Sequence, residues 1–435
     1  MFEPFKARNK LQGGESTQTN EMCDGCRLLG ALELQGYSCD FRAATKRLEY
    51  IMGILNIIAI CFSFGCLILG SVFFEPRLPL LDSFSINQLI LLVSILFSIS
   101  IYKEKFIYAL IIGMVILIPI YMSLTANIFN ASDYGIEKAA DLYIITLLSF
   151  SLFYTSYEKY GLERTIKIVA EVIFIIMVFC ILYKLVFGLF NRNVKFILFG
   201  PIVFGRLMGV GLIISLFIFE GKKRIIYCSL FFFATIISFS KGPVLAIFVV
   251  ALGMMVKKKK YLEIIMMFIF LSIFFLFLED AYNWSKNSEY YGLARILGVL
   301  FTLVSGGDVT AGANYGSIGS RIDMYTLSYE VMKNNPLGVG LGNWSHYVSV
   351  EGMQYPHNLF LEVFTEMGVV FGIIFLSLFI LPLFLSVTLI KAIICFLMIN
   401  QLVSGDILDA RYWLFFSIFG CMDFFSKKYK LKVSR

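Results

Sequence analysis

Between two apolar runs, residues 319–366 gather an arginine, a glycine-rich turn and a histidine. They read GSRIDMYTLSYEVMKNNPLGVGLGNW and, after a short polar gap, YPHNLFLEVFTEMG. Arg321 offers a permanent, forked cation suited to phosphate oxygens. It can instead open a helix and pair with Asp323 or Asp308. His357 follows Pro356 and directly precedes the apolar run that starts at Asn358. An imidazole there can meet a lipid-borne group as a general base or hydrogen-bond donor, or serve only as a polar anchor. His346 has the weaker case, because nothing constrains the loop around it. Gly338, Gly340 and Gly342 read as a tight turn that lets backbone approach backbone. No strand–helix unit surrounds them to make a nucleotide site.

Three further places hold charges near apolar segments. Residues 191–206 carry Arg192, Lys195 and Arg206 without an acid, a positive site for a phosphate or diphosphate or simply misplaced loop charges. Lys241, in SFSKGP, lies in a short turn; it is either a snorkelling lysine or an ammonium beside Arg206. The turn SGDILDARYW holds Asp406, Asp409 and Arg411. Its aspartates could hold a divalent cation, but an Arg411–Asp pair fixing the turn is the plainer reading. Cys23 and Cys26 form a C-x-x-C with Cys39 beyond, yet no fourth ligand completes a zinc site.

The elements that position these residues are membrane helices. The chain is 59% hydrophobic and only 15% charged, with mean hydropathy +0.81, the composition of an all-α polytopic membrane protein. About twelve apolar segments are long enough to cross roughly 30 Å of hydrocarbon, at 50–74, 85–102, 106–125, 142–157, 166–190, 202–219, 225–240, 243–256, 261–279, 359–381, 384–403 and 411–425. Lys and Arg fall in alternate short loops (Lys103 and Lys105; Lys159, Arg164 and Lys167; Lys222, Lys223 and Arg224; Lys257 to Lys260) and after residue 425. The net charge of +7 therefore reports topology and not nucleic acid. Both termini are expected in the cytoplasm and the loop 280–357 outside.

The expected organisation is a polar cytoplasmic tail at 1–47, nine spans over 48–279, a large periplasmic loop over 280–357, three spans over 358–425 and a basic tail at 426–435. A loop of that length is more than a connector. Arg321 begins a helix-like pattern of Ile322, Tyr325, Leu327, Tyr329 and Val331, stopped by Asn334, Asn335 and Pro336.

These segments, in order, resemble the family that joins O-antigen ligases and O-antigen polymerases. SFSKGPVL resembles its S/T-R-G/A turn, the Arg321 segment its loop helix and Pro/Gly turn, PHNLFLEVFTEMG its HN…E…G segment, and SGDILDARYW its final outward turn. The usual arginine of the first turn is Lys241 here, which keeps charge but loses bidentate geometry. The resemblance implies transfer of a glycan from undecaprenyl diphosphate to an acceptor hydroxyl at the periplasmic side of the inner membrane. It implies Arg206, Arg321 and Lys241 at the diphosphate and Arg321 and His357 in catalysis, with Tyr325, Asn358, Glu362, Asp406 and Arg411 in support. The leaving group is already activated, so neither a metal nor a cofactor is implied. The implied partners are the lipid-linked donor and acceptor, membrane lipid, a chain-length regulator and a flippase. HNLFLE and SGDILDARYW look closer to polymerases than to ligases, whose acceptor is lipid A-core. A secondary transporter of an anion is the non-enzymatic alternative, without the inverted repeat of broken spans such proteins use.

Overall fold

The structure, a computed structural model, describes residues 130–140, 146–189, 200–286, 319–348 and 353–433. It also describes the backbone of residues 77–78 and 81–85 and scattered positions between 107 and 142, at 196 and at 294–302. The Cys23–Cys26–Cys39 set, the 1–47 tail, the spans expected at 50–74 and 85–102, Arg192, Lys195 and Asp308 lie outside the described residues. What is described is helical, as expected, apart from one short antiparallel ribbon, β1 (Arg77–Leu78) and β2 (Leu81–Ser85).

The helices are α1 (Asp133–Ala140), α2 (Thr146–Phe187), α3 (Pro201–Ile218), α4 (Gly221–Ile237), α5 (Lys241–Lys257), α6 (Tyr261–Leu276) and α7 (Leu278–Lys286). They continue with α8 (Gly319–Asn334), α9 (Trp344–Tyr347), α10 (Leu359–Ile380), α11 (Pro382–Leu385), α12 (Thr388–Ser404) and α13 (Ala410–Val433). Among the described residues three helical stretches are long and apolar enough to cross a membrane: Tyr160–Phe187, Pro201–Ile218 and Leu359–Leu385. Thr388–Ser404 is apolar but shorter.

The helices differ from the expected segments at glycines. Between 157 and 166, where a loop is expected, two helices meet end to end at Gly161 (φ 78°), and α2 is the pair of them. The run expected over 359–381 is broken at Gly368 (φ 75°), which sets Leu359–Met367 apart as a short helix of its own. Only glycine enters this left-handed region without a steric penalty.

The core is organised around α3, buried along Phe204–Ser215. Gly205 and Gly209, four residues apart, let neighbours close on it, as small residues do between membrane helices. A Cβ on Gly205 would meet Ser238 Oγ at 2.7 Å and Pro243 Cγ at 3.0 Å, and one on Gly209 would stand 2.1 Å from the Phe396 ring. Arg206 thus lies on the helix against which both the α4–α5 turn and α12 are packed.

The loop helix α8 ends at Asn334, as the Asn-Asn-Pro stop predicts. Its buried face is Met324, Ser328 and Val331, while Ile322 and Tyr329 are exposed. Spacing of i, i+4 and i+7 marks one helical face. A small core of Met324, Val331, Val339, Trp344 and Val348 closes on it, and Trp344 Nε1 donates to Ser328 Oγ at 2.8 Å.

Candidate active site

The GVGLGNW turn is a backbone joint between three elements. Ser132 N–H donates to Leu341 O (3.0 Å), tying the start of α1 to the turn. Val339 and Gly340 donate their N–H groups to the carbonyls of Thr365 and Glu366 at 2.9 and 3.0 Å, and Val369 N–H donates to Pro336 O at 3.0 Å. The break at Gly368 takes those two carbonyls out of the helical ladder, and buried carbonyls need partners. The turn supplies them. Its glycines work through close approach of backbone to backbone, as expected of a tight turn.

This joint fixes the short helix Leu359–Met367 beside α13's leading turn. Asn358 caps it, its Oδ1 accepting from Phe360 N–H at 3.0 Å and Leu361 N–H at 3.2 Å. Glu362 and Glu366, one turn apart, point inward and are wholly buried. Lys138 of α1, also wholly buried, pairs with both: with Glu362 in a short contact, and with Glu366 at 3.4 Å. The other Glu362 oxygen accepts from Ile407 N–H at 2.9 Å. Burial opposes the Lys138 charge, but Glu362 and then Glu366 overcome it and hold the ammonium protonated well above the usual lysine range.

Residues 405–409 form the next layer. Asp406 Oδ1 accepts from Asp409 N–H at 2.7 Å, and burial and Asp409 push its carboxyl up to about 6. Asp409 Oδ2 binds Arg206 Nη1 at 2.5 Å, while Arg206 Nη2 donates to Ser404 O at 2.6 Å. Arg206 is only 2% exposed, yet its Nε has no partner. In the same turn Arg411 Nη1 donates to Leu408 O at 3.0 Å and Nη2 to Tyr412 Oη at 3.3 Å.

His357 sits above this layer with φ 55°, a conformation uncommon outside glycine and often kept at functional positions. Its Nδ1 is buried without a hydrogen-bond partner. The ring meets Tyr355 edge to face, centroids 4.5 Å apart. Burial, then Arg321, then Arg206 depress its pKa to about 4 against the opposing pull of Asp409. His357, Arg206, Arg321 and Asp409 therefore share one electrostatic neighbourhood, although Arg206 and His357 are 151 positions apart in the chain. Tyr325 joins them from α8, its Oη 3.4 Å from Leu402 O and within reach of Asn358. Lys241 starts α5, and the next residue, Gly242, packs on Asn400 of α12 (3.5 Å from a Cβ to Oδ1). His346 lies in α9.

A depressed histidine pKa has a definite sign. The unfolded chain binds the proton more readily, so stability is lost as pH falls from the ordinary 6.5 toward about 4. In a histidine-resolved NMR titration, His357 is expected to keep its neutral-form signal at about pH 6, where a free imidazole is well into titration. Protonation with an ordinary midpoint would contradict the site as described.

A buried arginine with no partner at Nε, a buried imidazole with none at Nδ1 and a second arginine whose charge acts on it share one neighbourhood, on apolar helices of the kind an integral membrane protein uses. Residues 226–376 match the family model Wzy_C, described as O-antigen ligase. Over those residues the chain is similar to the O-antigen ligase family. Among curated proteins none matches the chain. The matched residues take in Lys241, Arg321 and His357; Arg206 and the 405–409 turn lie outside them and join the site through the Arg206–Asp409 pair and the Glu362–Ile407 bond.

Lys138, Glu366 and Tyr355 are the residues that sequence reasoning missed. Glu362 and Glu366 at i and i+4, leading into an apolar run, were the available signal: two acids on one helical face need a buried cation or a ligand.

Proposed function

We propose that the protein is an O-antigen polymerase of the bacterial inner membrane. It would transfer a glycan from undecaprenyl diphosphate to a hydroxyl of a second lipid-linked repeat unit, on the periplasmic side. The observation that carries this reading is the unpartnered His357 Nδ1 in the field of Arg206 and Arg321. The acceptor hydroxyl donates its hydrogen bond to that nitrogen. Its oxygen attacks the anomeric carbon opposite the diphosphate, the bond from that carbon to the phosphate oxygen breaks, and the configuration inverts. The hydroxyl proton passes to His357, and the electron pair leaves with the diphosphate. Arg206 Nε and Arg321 stabilise that charge. The bound diphosphate also offsets the two arginines whose fields keep the empty site's imidazole weakly basic, so His357 becomes a better proton acceptor when substrate is present. Lys241, Tyr325, Asn358, Glu362, Asp406 and Arg411 act in support. A chain-length regulator and a flippase are the expected partners.

His357→Asn tests this reading, because asparagine tolerates the left-handed backbone but cannot take the proton. Lipid-linked polymer is expected to fall roughly 10²- to 10⁴-fold at unchanged membrane level. Full polymer yield would remove His357 from the chemistry. The description of the matched family favours a second reading, a ligase with lipid A-core as acceptor. Deleting the gene separates the two: a single repeat on the core marks a lost polymerase, and bare core with accumulated lipid-linked polymer marks a lost ligase.

A further inference from the structure

Lys138 takes no part in the chemistry above and lies outside the matched family residues, yet it is wholly buried between two carboxylates. A lysine placed there needs a strong reason, since desolvating an ammonium and two carboxylates is costly unless their geometry is used. Its surroundings show what the geometry does. Tyr134 lies under the ammonium, 4.4 Å from ring centroid to Nζ. Glu366 takes one side of it while leaving its own Oε2 without a partner. Glu362 takes the other side and is thereby held in one rotamer, with its second oxygen on Ile407 N–H.

From Ile407 the chain of contacts is short. Asp406 and Asp409 of the same turn bond each other, and Asp409 holds Arg206. We infer that Lys138 is a positioning residue: it anchors Glu362 so that this carboxylate fixes the 405–409 turn, which aims Arg206 at its ligand. Lys138 thereby contributes to a site whose reactive groups, Arg206, Arg321 and His357, all lie later in the chain.

The inference rests on the proposed function only for its effect on turnover; the geometry is tested independently. By residue-resolved hydrogen exchange on the full-length protein in membranes, the wild-type Ile407 amide is expected to exchange as slowly as amides inside α13. A fast-exchanging Ile407 amide overturns the proposal outright. In Lys138→Met, that amide is expected to exchange at least about tenfold faster, the loss of one hydrogen bond, while α3 keeps its protection. Turnover is expected to fall on the order of 10²-fold, as small misplacements of binding groups do. Wild-type exchange and turnover in Lys138→Met overturn the inference. Should that variant fail to reach the membrane, the exchanged pair Lys138→Glu with Glu362→Lys re-forms the ion pair. It is expected to restore protein level but not turnover, since Ile407 N–H then faces an ammonium; recovery of both overturns the positioning role. If His357→Asn proves fully active, the functional reading fails while Ile407 protection still reports the geometry.

Discussion

Arg206→Lys is expected to lower product formation on the order of 10²- to 10³-fold, the loss seen when one preorganised donor to a developing anion is removed, with little change in protein level. The guanidinium does three things at once. Nη1 binds Asp409, Nη2 binds the Ser404 carbonyl, and Nε remains buried with no partner. Two nitrogens thus fix the plane and with it the direction of the third, which the proposed function assigns to a diphosphate oxygen. An ammonium keeps the charge and can keep the Asp409 pair, but it has no rigid fork with which to do both. The loss should therefore appear mainly as a lower kcat, with kcat/KM falling equally, measured on membranes with defined lipid-linked donor. Arg206→Ala differs in kind: it strands Asp409, which is largely buried, at about 3 kcal/mol, the lower end for breaking such a pair, and should lower the amount of folded protein too. Lysine at 206 with unchanged KM and turnover would show that the fork is structural.

How much of this was legible in the sequence depends on what kind of signal each residue left. Arg206, Arg321 and His357 stand out because charged or titratable residues at the edges of apolar runs are few, and the shared end of the helices brings them together. Lys138 gave no such signal. It is one lysine in a loop otherwise acidic, and loop lysines read as topology markers. Its burial depends on α1 docking onto the glycine turn, a contact 209 positions apart in the chain that no local pattern encodes. The buried stripe of α8 is not legible in the sequence for a related reason. Ile322 and Tyr329 are more apolar than Ser328, but Ser328 is the residue whose hydroxyl accepts from Trp344, and a partner in space decides which face turns inward. Gly368 was the least visible, since a lone glycine inside an apolar helix is commonly tolerated. Its role appears only with the turn that occupies the gap it opens.

Gly338→Ala is expected to abolish product formation and to lower the amount of folded protein in the membrane, the largest stability effect of any substitution considered. Gly338 adopts φ 89°, and a Cβ there would stand 2.5 Å from Gly368 N, 2.6 Å from Glu366 O and 2.7 Å from Met367 C. All three are backbone atoms, so no side chain can swing aside. The left-handed conformation alone costs alanine about 1–2 kcal/mol, and the clash must also part the turn from the helix break. Parting them loses the bonds from Val339 and Gly340 to the carbonyls of Thr365 and Glu366, each a net of about 1 kcal/mol and more where no water can replace it. The helix carrying Glu362 would then move, and with it the support of Ile407 and Arg206. Gly253→Ala is the matched comparison: no atom lies within 4 Å of a Cβ there, in the interior of α5, so helix propensity predicts a gain of up to about 1 kcal/mol. Membrane level and thermal inactivation of the two variants, compared side by side, measure the difference. Equal behaviour would mean that the turn does not clamp the helix break.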